Sequence, residues 1–291
     1  MNPRVPNSLR IPAFPPSWAE VFGEDEAGIF AECAVKGVRI VLRWIMPGSF
    51  LMGSPESEKG RFEDEGPQHR VTISKGFWLG ETPITQEQWQ AVMGDEPSDF
   101  KGEDGLPVEQ VSWQDSKEYV RRLGAVCPGL FARLPSEAEW EYACRAGTNA
   151  AFNDGSTCNQ PTGKDPALDK LGWFSDNSEG KTHPVKQKLA NAWGLYDMHG
   201  NVWEWCEDAW DAGGYQSRAG DVVDPRVMAV DENAGRVVRG GSWDFQALYC
   251  RAAIRNRFGP GYRRFNLGMR LAAGQEPEAA EPQGAERPPA G

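Results

Sequence analysis

The chain has 291 residues, enough to bury a hydrophobic core without disulfides or structural metals. Its 33 glycines, 22 prolines and 12 tryptophans exclude an array of long helices and favour a turn-rich fold with buried aromatic side chains. The net charge of −11 argues against nucleic acids and anionic membranes as main partners. No apolar stretch approaches the roughly 18 residues of a membrane span, and the N terminus lacks the apolar core of a secretory signal, so we expect a cytoplasmic protein.

The first part of the chain predicts an arm, a helix and a few short strands. Residues 1–35 contain a proline-rich arm and then a mixed helical pattern that starts at Trp18. Strands are predicted at 38–46 and 69–80. Between them, the segment 54–70 is strongly acidic with almost no apolar residue, so we expect a solvated loop there.

Three helices are predicted from their N-terminal caps. Each begins after a serine or threonine that can accept a hydrogen bond from the third helical residue, whose own side chain returns a bond. These cap pairs are Thr85 with Gln88, Ser112 with Asp115, and Ser136 with Glu139.

The second half of the chain is less regular. Residues 148–190 are rich in Asn, Asp, Gly, Ser and Thr, and ordered loops of this length are often functional. Short strands are predicted at 202–210, 236–243 and 266–272. Residues 273–291 contain no large apolar residue and predict a disordered tail, which leaves one domain at 36–272.

The cysteine pattern is typical of a reduced protein. Six cysteines lie at positions 33, 127, 144, 158, 206 and 250, with no CxxC pair and no ladder of short spacings. This distribution predicts six separate thiols, most of them buried, rather than a disulfide framework.

An ordered set of motifs points to a known family. The motifs include FLMGS at 50–54, FWLGETPITQEQWQAVMG at 77–94, LPVEQVSW at 106–113, RLPSEAEWEYACRAGT at 133–148, THPV at 182–185, GLYDMHGNVWEW at 194–205, RVVRGGSW at 236–243, CRAAIR at 250–255 and NLGMRLA at 266–272. Together they resemble the sulfatase-modifying-factor domain, the fold of the formylglycine-generating enzyme. The resemblance implies a single α+β domain with a C-type-lectin-like core, short strands, about three capped helices and long ordered loops.

The resemblance also indicates which metal-binding residues a catalytic member of the family would need. Formylglycine-generating enzymes hold copper(I) with two cysteines five residues apart after the RGGS motif, because the soft ion prefers thiolates. Here the second position is Cys250 but the first is Phe245, and no spacing suggests that Cys206 supplies the missing sulfur. Related iron enzymes use three histidines from an additional helical domain, whereas the histidines here, His69, His183 and His199, sit in separate loops. We therefore expect neither copper nor iron, and no catalytic residue. The alternative is an O₂-dependent oxidoreductase with a non-standard metal or thiol site, in which Cys250 would act.

A calcium site is the remaining metal prediction. Asp197, Gly200, Val202 and Glu204 match the positions at which the family binds structural Ca²⁺. The resemblance implies carboxylate oxygens from Asp197 and Glu204 and backbone carbonyls from Gly200 and Val202, and hard oxygen donors suit Ca²⁺. The alternative is a turn whose acidic residues are solvated or paired with arginines.

The resemblance places residues 243–265 on the upper surface of the fold. Aromatic and arginine side chains on one surface are typical of a binding hot spot, so we expect a protein or peptide ligand. The candidate contact residues are Trp243, Asp244, Phe245, Gln246, Leu248, Tyr249, Ile254, Arg255, Phe258, Tyr262 and Phe265. The alternative is that Tyr249, Ile254 and Phe258 are core residues and that the arginines pair with acidic groups.

A second branch of the family shares the C-terminal motifs of this chain. The variable proteins of diversity-generating retroelements resemble it in carrying RGGSW, CRAA and NLGxRLA landmarks, between which residues are diversified for ligand binding. The sequence therefore favours a non-catalytic binding protein, either a general accessory domain or a retroelement-diversified variable protein.

Overall fold

The computed structural model describes residues 14–213, 215–216, 220–229 and 231–274. Most of the predicted arm and tail lies outside these ranges. The strands are β1 (Val21–Asp25), β2 (Gly28–Val35), β3 (Val38–Ile45), β4 (Gly48–Met52), β5 (His69–Ile73), β6 (Phe77–Gly80), β7 (Ala132–Arg133), β8 (Trp203–Ala209), β9 (Val222–Val223), β10 (Arg236–Arg239), β11 (Asn256–Phe258), β12 (Leu267–Met269) and β13 (Ala272–Ala273). The α-helices are α1 (Gln86–Met93), α2 (Trp113–Val126), α3 (Glu137–Arg145) and α4 (Leu168–Leu171), and short 3-10 turns lie at Glu63–Glu65 and Ala247–Cys250.

The N-terminal helix prediction was wrong, because this stretch forms a hairpin. Strands β1 and β2 pair antiparallel around a tight turn in which Asp25 faces Gly28. In β2 every second side chain, Ala31, Cys33 and Val35, is buried, while the residues between them are partly exposed. A period of two is the pattern of a half-buried strand, and the acidic residues of the turn obscured it in the sequence.

The three capped helices are confirmed with their capping boxes. In α1 the Thr85 side chain accepts from the Gln88 backbone N–H, and the Gln88 side chain bonds back to the Thr85 backbone. Ser112 and Ser136 cap α2 and α3 in the same way. Helix α2 is the longest of the three and runs to Val126.

Two predicted strands are each divided between two sheets. The six-stranded sheet has the order β1-β2-β3-β6-β13-β7, the four-stranded sheet β11-β10-β8-β12, and the three-stranded sheet β4-β5-β9. The stretch 69–80 contributes β5 to the three-stranded sheet and β6 to the six-stranded one. The stretch 266–272 likewise crosses between sheets, because β12 pairs with β8 and β13 pairs with β6. These crossings join the sheets into one α+β fold.

The core lies between these sheets and the helices as three apolar clusters. The first contains Trp203 and Trp205 of β8 together with α2, and the second lies beneath α3. The third is formed mainly by the irregular 148–190 segment, including Phe152 and Phe174, and is completed by Cys250 from the chain after β10. This long segment is therefore folded around its own apolar centre. None of the helices in the described ranges is both long and apolar enough to cross a membrane.

Candidate functional site

The candidate surface is formed by the chain between β10 and β12, which leaves its sheet at two glycines. Gly240 and Gly241 have φ values of 97° and 77°. A β-carbon at Gly241 would lie 2.6 Å from the Cys250 Sγ atom. Glycine adopts this backbone conformation and permits this approach without steric cost. The Gly-Gly pair therefore turns the chain sharply against the 3-10 turn that follows.

Asp244 joins the two ends of this segment. Its Oδ1 atom accepts hydrogen bonds from Ser242 Oγ and Asn266 Nδ2, each at 2.7 Å. The Arg264 guanidinium lies 3.8 Å from its other carboxylate oxygen. Asp244 was predicted to contact a ligand, but its carboxylate is hydrogen-bonded within the segment and stabilises the conformation of the segment.

Three groups of aromatic rings lie along this segment. In the first, Phe62 stacks on Tyr249 with ring centroids 5.6 Å apart, and Tyr249 meets Phe245 edge to face at 5.2 Å. Phe245 meets the buried Trp203 ring edge to face at 5.5 Å. Phe245 and Tyr249 are half-buried, and Phe62 is 38% exposed. Ring pairs at these distances are favourable and restrict the rings to one arrangement.

The second group surrounds Trp243. Its ring meets Phe100 edge to face at 5.4 Å and lies 5.5 Å from the Phe265 ring. The indole Nε1 atom donates to the Phe265 carbonyl oxygen at 3.3 Å. All three rings are half-buried, so each keeps an accessible edge.

The third group rests on the neighbouring tryptophan of β8. Phe258 stacks on Tyr262 at 4.8 Å and meets Trp205 edge to face at 6.3 Å. Trp203 and Trp205 are two residues apart in one strand, so they point to the same face and support both Phe245 and Phe258. We call the accessible rings of the three groups the aromatic surface. Its members are Phe62, Phe100, Trp243, Phe245, Tyr249, Phe258, Tyr262 and Phe265.

Two of the predicted contact residues are buried, which corrects the prediction. Ile254 is 2% exposed and belongs to the first apolar cluster. Arg255 is 5% exposed, and its Nε atom donates to Glu137 Oε1 at 2.5 Å. The chain turns inward after Cys250, so these side chains face the core. Of the other predicted residues, Gln246 is exposed and Leu248 is half-buried.

The acidic loop before β5 contributes to the candidate surface, which was not predicted. Its residue Glu65 is fully buried and receives both Arg251 Nη atoms, at 2.5 and 2.9 Å, so the loop is not simply solvated. Arg251 also donates to the Gly60 carbonyl oxygen at 2.7 Å and to Glu58 at 2.5 Å. These bonds bring Phe62 to the aromatic surface. The available signal was charge: the loop is acidic and CRAAIR contains two arginines.

Cys250 lies in the third apolar cluster. The thiol is fully buried, and this burial raises its pKa above the ordinary range. Cys206 packs in the second apolar cluster, whereas Cys158 shares the third cluster with Cys250. The position of the first copper cysteine is occupied by the Phe245 ring, which has no donor atom.

All three histidines form hydrogen bonds, and His69 Nδ1 lies 3.1 Å from the Pro67 carbonyl oxygen. His199 is fully buried, which lowers its pKa to about 4. Its Nδ1 atom lies 2.7 Å from the Cys250 carbonyl oxygen, while Nε2 accepts from the Asn153 backbone N–H at 3.1 Å. His183 stacks on Trp173 at 3.7 Å and contacts the Ser178 carbonyl oxygen at 2.7 Å through Nε2.

The two carboxylates predicted to bind calcium, Asp197 and Glu204, are buried, and both accept hydrogen bonds from other residues. Glu204 accepts from Trp140 Nε1 at 2.6 Å and from the Arg270 guanidinium at 2.7 Å. Asp197 accepts from the Lys186 backbone N–H at 2.9 Å, and burial raises its pKa to about 6. The alternative of an arginine-paired acid therefore describes Glu204, whereas no arginine of the described ranges forms a hydrogen bond with Asp197. Asp197 keeps the carboxylate oxygens that suit Ca²⁺, and calcium stays a prediction.

Comparison with known proteins gives the same family as the sequence motifs. Residues 39–274 match the sulfatase-modifying factor enzyme 1-like domain. A formylglycine-generating enzyme from Streptomyces coelicolor is 37% identical over 187 residues, which are 60% of this chain and 55% of that enzyme. The chain thus spans about half the length of that relative.

Two solved structures are similar along nearly their whole lengths. Variable protein 1 from Treponema denticola superposes with a TM-score of 0.71 at 29% identity, covering 85% of this chain and 99% of that one. PvdO from Pseudomonas aeruginosa superposes with a TM-score of 0.65 at 26% identity, covering 88% of this chain and 98% of that one.

Proposed function

The chain belongs to the sulfatase-modifying-factor family, and within that family we propose that it is a non-catalytic protein that binds a protein or peptide through the aromatic surface. The observation that carries this proposal is the position of Phe245. Where the copper enzymes have a thiolate, this chain has a half-buried ring held between Tyr249 and Trp203. An aromatic ring there contributes contact area and no redox chemistry.

The form of the surface supports a protein or peptide ligand. Its rings are restrained by their neighbours, so binding costs little side-chain entropy. Tyr, Trp and Arg are enriched at interaction hot spots, and the exposed Arg257 and Arg263 flank Tyr262 in the sequence. The surface is built from three separate stretches of chain, which suits recognition by shape.

The similarity to a variable protein supports a narrower proposal for this surface. The accessible rings are the positions at which different side chains would change the ligand, whereas Asp244 and Ile254 have structural roles that restrict variation. A reverse transcriptase gene beside this one, with a near-copy of the coding stretch for 236–272, would support diversification. Without them, a general accessory role would be preferred.

A random-peptide display library panned on the immobilised protein tests binding directly. We expect enriched peptides to lose at least about tenfold in affinity with Tyr249→Ala, because truncating one hot-spot residue costs about 2 kcal/mol or more and about 1.4 kcal/mol corresponds to tenfold. Phe131→Ala is the matched control, since Phe131 is 41% exposed and lies outside the aromatic surface. Equal losses in both variants would refute the proposed site.

The oxidoreductase alternative is favoured by one observation, the similarity to formylglycine-generating enzymes. It predicts O₂ consumption when the reduced protein is supplied with copper(I) and a cysteine-containing peptide. We expect no turnover. Turnover in the wild-type protein that disappears in Cys250→Ala would overturn the non-catalytic proposal.

A further inference from the structure

Charge is distributed unevenly between the candidate surface and the rest of the chain. The whole chain has 42 acidic residues against 31 lysines and arginines. Residues 245–265, which contribute most of the aromatic surface, instead contain five arginines and no acidic residue. An acidic protein therefore has a cationic stretch at the surface proposed for binding, and the partners of those arginines decide whether the charge is available to a ligand.

Three of the five arginines have carboxylate partners within the fold. Arg251 and Arg255 are buried and form ion pairs with buried glutamates. Arg263 is exposed, but its Nε and Nη2 atoms donate to the Asp115 carboxylate at 2.7 and 2.8 Å. The charges of these three arginines are therefore balanced without a ligand.

The other two arginines have no hydrogen-bonded carboxylate among the described residues. Arg257 is exposed and forms no ion pair within those ranges, and its guanidinium carbon lies 4.9 Å from the centre of the Trp210 ring. The Arg264 guanidinium lies 3.8 Å from Asp244, beyond hydrogen-bond distance, and 5.1 Å from the centre of the Phe265 ring. Contact with a ring restrains a guanidinium and leaves its N–H groups available to an anion.

These two arginines are separated in the chain by accessible rings. Arg257 belongs to β11 and directly precedes Phe258, whose ring stacks on Tyr262 at 4.8 Å. Arg264 follows Tyr262 by two residues and directly precedes Phe265 of the second group. One available positive charge thus lies beside the third aromatic group and the other beside the second. A ligand that covers both groups meets both charges.

We propose that the ligand of the aromatic surface is an acidic peptide segment, whose aspartate or glutamate carboxylates bind Arg257 and Arg264 and whose apolar side chains pack on the rings between them. This inference rests on the proposed function and adds the chemistry of the ligand. A guanidinium and a carboxylate form paired, charge-assisted hydrogen bonds, which select an anion by geometry as well as by charge. The negative charge of the rest of the chain disfavours other sites for such a peptide, so the cationic stretch also directs its approach.

Three display libraries of matched design test the inference on the full chain. Each alternates random apolar or aromatic positions with polar positions, which are Asp or Glu in the first library, Asn or Gln in the second, and Lys or Arg in the third. We expect the immobilised protein to enrich peptides from the acidic library and to bind them at least about fivefold more tightly than the same peptides synthesised with Asn and Gln. Raising the salt concentration from about 0.05 to about 0.5 M should remove most of this difference.

Arginine variants locate the charges that bind the peptide. Arg257→Gln and Arg264→Gln should each lower the affinity for the selected acidic peptides by about three- to tenfold, and leave the affinity for the Asn and Gln counterparts unchanged. Arg39→Gln is the matched control, because Arg39 is exposed in β3 and lies 3.6 Å from Glu32, outside the aromatic surface. It should retain the wild-type affinity, and all three variants should keep the wild-type thermal unfolding midpoint because none of these arginines is buried.

The outcomes distinguish failure of this inference from failure of the proposed function. Equal enrichment from the acidic and neutral libraries, or enrichment from the basic library, would overturn the acidic ligand while leaving peptide binding intact. Acidic peptides with the same affinity for Arg257→Gln, Arg264→Gln and Arg39→Gln would overturn the role of the two arginines. Enrichment from none of the libraries would overturn both the proposed function and this inference.

Discussion

The chain between β10 and β12 contains a partly accessible region and a buried region. Comparing them shows which side chains are available for the proposed binding and which stabilise the fold. The outer region is the part of the aromatic surface at 243–249 and 256–265, whose rings are at least partly accessible. The inner region, residues 250–255, is buried and includes Arg251 and Arg255 in ion pairs with buried glutamates. We therefore expect substitutions of the outer rings to alter the proposed binding more than they alter stability, whereas substitutions in the inner region should destabilise the scaffold.

The largest expected effect is the loss of Arg251. Arg251→Met leaves Glu65 buried without its cation, so we expect the free energy of unfolding to fall by about 3–5 kcal/mol in urea denaturation. Arg263→Met is the matched control, because Arg263 pairs with Asp115 at an exposed site and its loss costs about 1 kcal/mol or less. Similar losses for both arginines would contradict the two-region division.

Truncating apolar side chains gives the next effect. Ile254→Ala should lower the free energy of unfolding by about 2–5 kcal/mol, because it leaves a cavity in the first apolar cluster. Tyr262→Ala, at a 42% exposed position of the aromatic surface, should cost about 0.5 kcal/mol or less. Thermal unfolding of the two variants under one buffer condition distinguishes these values, and a reversed order would place Ile254 on the surface after all.

We expect the free energy of unfolding to depend on pH through Glu109, which is hydrogen-bonded to Phe100 of the second aromatic group. Glu109 is fully buried and accepts from the Phe100 backbone N–H at 3.0 Å, while burial raises its pKa from 4.5 to about 7. The folded protein holds this proton more tightly than the unfolded chain, so Glu109 contributes a fall of about 2 kcal/mol in the free energy of unfolding as pH rises from 4.5 to 7. His199, whose pKa is lowered to about 4, contributes in the opposite direction over this interval, so the test compares variants. Urea denaturation at both ends of the interval should show that stability falls less, or rises more, with pH in Glu109→Gln than in the wild type. Glu118→Gln, an exposed control, should retain the wild-type slope.

The smallest expected effect is that of calcium. If Asp197 and nearby carbonyls bind Ca²⁺, excess calcium should raise the thermal unfolding midpoint by about 2–4 °C, and a chelator should reverse the rise. Asp197→Ala should remove this response, whereas Asp176→Ala, at an exposed position, should keep it. A response that survives in Asp197→Ala would place the ion elsewhere.

Local features of the site were predictable from the sequence. The capping boxes and the strand that contains Trp203 and Trp205 each depend on residues a few positions apart. The predicted strand at 236–243 ends at Arg239, before the Gly240-Gly241 turn. The family motifs identified the fold. Features that depend on remote partners were missed or misassigned, including the division of the 69–80 and 266–272 stretches between sheets.

What the sequence by itself determined about this protein is its set of short-range structures and the loss of the first copper cysteine at Phe245. A capping hydrogen bond or a glycine turn is decided by neighbouring residues, so its pattern is visible in the chain. Only the tertiary structure decided that Glu65 pairs with Arg251 and that Phe62 contacts Tyr249. Both contacts link residues that are remote in the chain, and burial determines which partner a charged or aromatic side chain finds.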